Sequence, residues 1–220
     1  MLLLISSILL MSCGADKYMK KGEKFLALGE YYDAADQFKQ AYTRTPAKER
    51  DTRGKRALKM AQCYQRINAT PKAIAAYRNA IRYNQASKED QLSYARQLLK
   101  NGDYRQAEKV FLMLKDSMPG NQLVANGLKS AQMAPEWKKQ GSRYIVKRMD
   151  VFNSRRHDYS PVLFGDDYDQ LYFTSTRNEA LGDELSGITG TKAGDIFLSE
   201  KDDRGKWSKP EAIGTGLNTD

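Results

Sequence analysis

The sequence predicts an α + β multidomain chain: an α-solenoid of helical repeats followed by a run of antiparallel strands. Three observations predict it. Small and aromatic residues recur with a 34-residue period between Ala15 and Asn121, the period changes after Ala134-Pro135-Glu136-Trp137, and an apolar run opens the chain at Met1 to Ser12.

The opening run, Met1-Leu2-Leu3-Leu4-Ile5-Ser6-Ser7-Ile8-Leu9-Leu10-Met11-Ser12, is too short to cross the ~30 Å hydrocarbon core as a helix. It is therefore expected to be a leader over residues 1–12. Leu10-Met11-Ser12-Cys13 resembles the bacterial lipobox, and that resemblance implies cleavage before Cys13, with a covalent lipid on it as the only prosthetic group. No Lys or Arg precedes Leu2, a departure from the usual basic start of such leaders.

In the first repeat, near residues 15–48, Tyr18, Gly22 and Phe25 share one face of a helix, and Ala34, Phe38 and Ala41 share one face of a second. Gly29-Glu30-Tyr31 is the expected turn between them, and Pro46 the stop. Glu49 to Arg53 is a polar insertion. The second repeat, near 54–87, places Ala57, Ala61, Tyr64, Ala73, Tyr77 and Ala80 in register; Asn68 stands where the turn glycine was, and Thr70-Pro71 opens the second helix. The third, near 88–121, carries Tyr94, Ala95, Leu98, Gly102, Tyr104, Ala107, Phe111, Leu114 and Pro119. A last helix over 121–133, with Leu123, Val124 and Leu128 facing the stack, is expected to cap it. The helical domain spans residues 13–140. Cys63, mid-helix, reads as a small buried apolar residue.

These positions closely resemble the tetratricopeptide (TPR) pattern. The resemblance implies a concave surface lined by first-helix residues, here Met19, Glu23, Lys55, Gln62, Arg66, Arg96 and Lys100. Arg66, Arg96 and Lys100 make one end of it basic, which suits an acidic segment or C-terminal carboxylate of a partner protein.

From residue 141 to 220 the pattern is that of strands. Tyr144 to Met149, Tyr159 to Phe164, Leu171 to Ser175 and Asp195 to Ser199 are β-branched and aromatic runs, and a polar hairpin at Lys201 to Lys206 leads into a further strand at Trp207 to Pro210. The Ser160-Pro161 strand, the acidic turn Gly165 to Gln170 and the aromatic strand ending in Ser175-Thr176-Arg177 resemble a TolB-type (PD40/WD40-like) β-propeller blade. About one blade is present, so an incomplete propeller and a longer parent protein are expected.

Composition bounds the function. The net charge is +9, its Lys and Arg spread along helices and strands with short clusters at Lys138-Lys139, Lys147-Arg148 and Arg155-Arg156-His157, and no nucleic-acid partner is expected. Catalysis of the Ser-His-Asp kind needs a histidine base and a nucleophile elbow, but the one histidine, His157, sits in a polar stretch beside Arg155-Arg156 and no Gly-x-Ser-x-Gly occurs. Asp166, Asp167 and Asp169 lack the ligand ladder of a calcium loop, and Gly182 to Gly194 precedes no helix that could cradle phosphate; no metal site is expected.

The order of leader, TPR repeats and TolB-like strands resembles the OmpA-family lipoproteins of Bacteroidota, most closely the PorE-like envelope component of type IX secretion and gliding machinery. The resemblance implies a non-enzymatic scaffold lipoprotein, lipid-anchored in the bacterial outer membrane and facing the periplasm, that binds envelope proteins through its groove and propeller. Peptidoglycan attachment belongs to an OmpA-like domain absent from these residues. The alternative is a TolB-like periplasmic assembly or trafficking factor for outer-membrane proteins.

Overall fold

The computed structural model describes residues 2–218, with side chains from Gly14 onward. The side chains of the expected leader, and the lipid site Cys13, lie outside the described residues. The chain divides into two compact units, residues 1–142 and 143–220.

The first unit is seven helices: α1 (Leu2–Ala27), α2 (Tyr31–Arg44), α3 (Arg50–Arg66), α4 (Thr70–Arg82), α5 (Lys88–Asn101), α6 (Tyr104–Ser117) and α7 (Gln122–Gln140). Each packs on the next, and α5 also touches α7. The turns explain the alternation. Gly29, Asn68 and Gly102 occupy corresponding places in the three repeats, and all three are left-handed, at φ 78°, 57° and 84°. That conformation favours glycine and tolerates asparagine, so Asn68 ends its helix as the glycines do. Side chains then interlock across the hairpins. Ala34, Phe38, Ala61, Tyr64, Ala73, Tyr77, Ala95, Leu98, Ala107 and Phe111 form one continuous core. Gly22 lets the Phe38 ring lie against α1, since a Cβ there would come within 2.7 Å of it.

The last helix runs seven residues beyond its expected end at Met133, through Pro135 to Gln140, and turns Leu123 to solvent while Val124 packs inward. Proline removes only one donor, and the helix stops where Gly141 turns left-handed at φ 72°.

The second unit is an antiparallel meander of β1 (Asp158–Phe164), β2 (Gln170–Ser175), β3 (Asp195–Glu200) and β4 (Glu211–Ala212), in sheet order β1-β2-β3-β4. Inward residues alternate: Leu171, Phe173 and Ser175 on β2, and Asp195, Phe197 and Ser199 on β3, are buried. A bulge breaks the β1 register between Tyr159 and Val162, with Ser160 left-handed at φ 54°.

Two expectations are corrected here. Tyr144 to Met149 is not a strand but irregular, exposed chain, with Val146 91% exposed. Its β-branched composition supplies propensity, but propensity alone does not make a strand. The fourth strand is not Trp207 to Pro210: Trp207 makes a lone bridge with Lys201, and pairing to β3 resumes at Glu211. Pro210 has no N–H to give the ladder, which places the strand after it. The Trp207 ring instead meets Phe152 edge-on at 5.2 Å.

Candidate functional site

The first-helix face of the repeat unit contains a cleft of about 360 Å³, lined by Leu26, Tyr31, Gln62, Gln65, Arg66, Tyr77, Asp90 and Ser93. Its walls come from five helices, α1 to α5. Asp90 is held by a capping box at the start of α5: its side chain accepts from the Ser87 backbone at 3.0 Å while Ser87 Oγ accepts from the Asp90 backbone at 3.1 Å. The remaining carboxylate oxygen takes the Gln62 amide at 3.1 Å, tying α3 to α5. The Tyr77 hydroxyl donates to Gln65 Oε1 at 2.7 Å, and burial pushes its phenol up to about 12, so it stays a neutral donor. Arg66 stands over the Tyr31 ring at 5.7 Å. Among the described residues it makes no ion pair, although the Asp90 carboxylate lines the same cleft.

Of the residues expected to line the concave face, Gln62 and Arg66 meet in this cleft. Lys100 reaches the α3–α4 turn, donating to Asn68 Oδ1 at 2.7 Å. Arg96, Lys55 and Glu23 are exposed on α5, α3 and α1, and Met19 is half-buried against the core. Sequence reasoning missed Leu26, Tyr31, Gln65, Tyr77, Asp90 and Ser93. Tyr31 and Tyr77 belong to second helices, which a carry-over of first-helix positions omits. The spacing Ser87-x-x-Asp90 is a capping signature and would have marked Asp90 as a fixed carboxylate.

The second unit gives its conspicuous sequence motif a structural role. Arg177 folds back over the Phe173 and Phe197 rings at 5.0 and 4.7 Å, donates to Asp158 Oδ1 at 2.8 Å and to the Phe152 carbonyl at 2.6 Å. Ser175 Oγ donates to the same carboxylate at 2.6 Å. Burial alone would raise the Asp158 carboxyl, but the bonds from Ser175, Arg177 and Ser154 outweigh it and hold it below the usual carboxylate range. Ser175-Thr176-Arg177 thus locks β1 to β2. Asp169, in the acidic turn, receives the Lys201 amide on its backbone carbonyl at 2.8 Å and joins the turn to the chain after β3.

Among the described residues no helix is long and apolar enough to cross a membrane. No family model matches the chain, and no curated protein matches it. Solved structures similar to it are TPR domains. The first TPR of Spaghetti (RPAP3), bound to the HSP90 peptide SRMEEVD, is 18% identical, covering 57% of this chain and 96% of that one at a TM-score of 0.46. The C-terminal TPR-containing domain of a Plasmodium falciparum FK506-binding protein is 14% identical over 60% of this chain and 94% of its own, at 0.48. The Sgt2 TPR domain from Aspergillus fumigatus is 19% identical over 62% and 88%, at 0.44. Helix hairpins stack with left-handed turns at Gly29, Asn68 and Gly102, where the second interval is 34 residues and the first is longer by the insertion at Glu49 to Arg53. The protein is a stack of helix hairpins, similar to TPR domains, followed by a four-stranded antiparallel sheet.

Proposed function

We propose that this chain is a non-enzymatic scaffold that binds an extended segment of another protein across α1, α3 and α5. The observation that carries the reading is the cleft around Arg66, where a guanidinium in no ion pair stands among fixed donors and acceptors, Asp90 among them. A partner carboxylate would complete it, by a charge-assisted hydrogen bond from the guanidinium. Within this reading Cys13 carries the lipid that anchors the protein to the outer membrane, facing the periplasm, as part of an envelope machine of the type IX secretion or gliding kind. The second unit is the start of a propeller. Its β1 strand has Tyr159, Val162, Leu163 and Phe164 each about half exposed or more, apolar surface that neighbouring blades would cover. His157 is exposed and engages Thr176 through its backbone, an arrangement that suits a structural position rather than a base.

The test is capture of envelope proteins on the full chain, wild type against Arg66→Glu with Arg96→Glu, with circular dichroism to verify the fold. The charge-reversed variant is expected to lose the partners that wild type retains, and added salt to weaken capture. An unchanged set of captured proteins would remove the groove from the reading. The anchor is tested separately by fractionating cells that make Cys13→Ala, which is expected to leave the membrane fraction.

A further inference from the structure

The rim of the helical unit where α2 and α4 end and α3 begins carries a second group of cations, unconnected with the cleft. Stacked pairs run along it. Arg44 of α2 lies over Tyr18 of α1 at 4.4 Å, Arg53 of α3 over Tyr42 of α2 at 4.3 Å, and Arg50 of α3 over Tyr83, next after α4, at 5.5 Å. Arg82 joins the last pair, 5.0 Å above the same ring, with Nη2 donating to the Tyr83 hydroxyl at 3.3 Å. Two arginines therefore lie over one phenol ring, and Arg53 also reaches its hydroxyl.

Their charge is left uncompensated. Among the described residues none of Arg50, Arg53 and Arg82 forms an ion pair. The nearby acids are Glu49, which precedes α3 and makes no side-chain cap, and Asp51, which takes a hydrogen bond from Gln85 at 3.5 Å. Arg53 is held in place by the Thr45 carbonyl, yet its Nε is buried and has no partner. The first turn of α3 adds the positive end of its dipole at the same place. The Tyr83 phenol registers the field: desolvation raises it, but the hydrogen bonds and charges of Arg53 and Arg82 prevail and leave it lowered.

We infer that Arg50, Arg53 and Arg82, gathered around Tyr83, form a binding site for a phosphate-bearing anion. Guanidinium groups suit phosphate because their planar forks donate in pairs to its oxygens. Two sources offer that chemistry. One is phosphate in solution. The other is the headgroup layer of an anionic membrane, which this rim could meet because the first described side chains of α1 lie on it: Asp16 bonds Arg56 of α3, which also holds Thr45 and the Ala41 carbonyl at 3.2 Å.

The test uses the full chain carrying Cys13→Ala, so that no attached lipid contributes. It is titrated with inorganic phosphate and pyrophosphate, and sedimented with phosphatidylcholine vesicles with and without phosphatidylglycerol. Arg50→Gln with Arg82→Gln is compared with Lys72→Gln and Arg105→Gln, which remove equal charge from the opposite rim. Binding to phosphatidylglycerol vesicles that falls about twenty-five-fold in the first double variant, about fivefold per arginine, and little in the second supports the lipid source. Saturable phosphate or pyrophosphate binding with the same variant pattern supports the soluble source. The arginines sit on the surface, so the variants are expected to keep the wild-type helical spectrum, and the single Arg50→Gln gives the same comparison should the double unfold. Equal loss in both double variants, or no binding to any of the probes, overturns the site.

Discussion

At the scale of single residues, the charged groups of this protein divide by whether a partner is fixed for them. Arg56 is 5% exposed and fully engaged; Arg66 and Arg96 are exposed and unpaired. Nothing in the sequence separates these three arginines, because each stands in a polar helical stretch and burial is decided by what the neighbouring helix brings. The Asp158–Arg177 pair is the clearest case, with side chains 9% and 7% exposed. Breaking a buried pair leaves the other charge stranded, so Asp158→Asn is expected to cost the second unit about 3 kcal/mol at neutral pH. The folded carboxyl lies below its unfolded value of about 3.9, so its contribution is present above that value and is lost as pH falls through the folded one. The difference between wild type and Asp158→Asn should therefore shrink as pH drops below about 4. Unfolding followed by Trp207 fluorescence in a Trp137→Phe background reads it. A gap that stayed constant down to pH 2 would show that Asp158 gains nothing from ionisation.

At the scale of elements, the hairpins depend on close approach at glycines as much as on the aromatic residues that fill them. Gly22 faces Phe38, and Gly127 on α7 faces the ring of Phe111, which is fully buried and has no room to withdraw. Alanine is the better helix former by about 1 kcal/mol, but overpacking a closed core costs about 1 to 3 kcal/mol. Gly127→Ala is therefore expected to lower the melting temperature of the helical unit, and adding Phe111→Leu to recover part of the loss. A simple sum of the two single effects would show that the ring and the glycine do not oppose each other. Gly22 was legible in the repeat pattern because its spacing to Phe25 and Phe38 recurs. Gly127 was not, since the last helix follows no repeat and its constraint comes from a ring sixteen residues back.

At the scale of the whole molecule, the two units draw on different amounts of buried surface. The helical stack shares one core through all of its hairpins, whereas the sheet buries Leu171, Phe173, Ala180 and Phe197, with Phe152 and Trp207 packed against them. Residues 14–142 expressed alone are expected to melt cooperatively, and residues 143–220 alone to lack a sharp transition. A cooperative melt of the sheet fragment would show that its small core and the Arg177 network suffice. The sequence by itself determined the repeat: its period, the left-handed turns at Gly29, Asn68 and Gly102, and three of the four strands follow from local preference and spacing, which act within a few residues. Only the tertiary structure decided that Tyr144 to Met149 is irregular chain, that Asp90 and Tyr77 join Arg66 in one cleft, and that Arg50, Arg53 and Arg82 meet at Tyr83. Those outcomes depend on groups brought together from separate helices or strands, and the packing that brings them together is not encoded in the local pattern of any one segment.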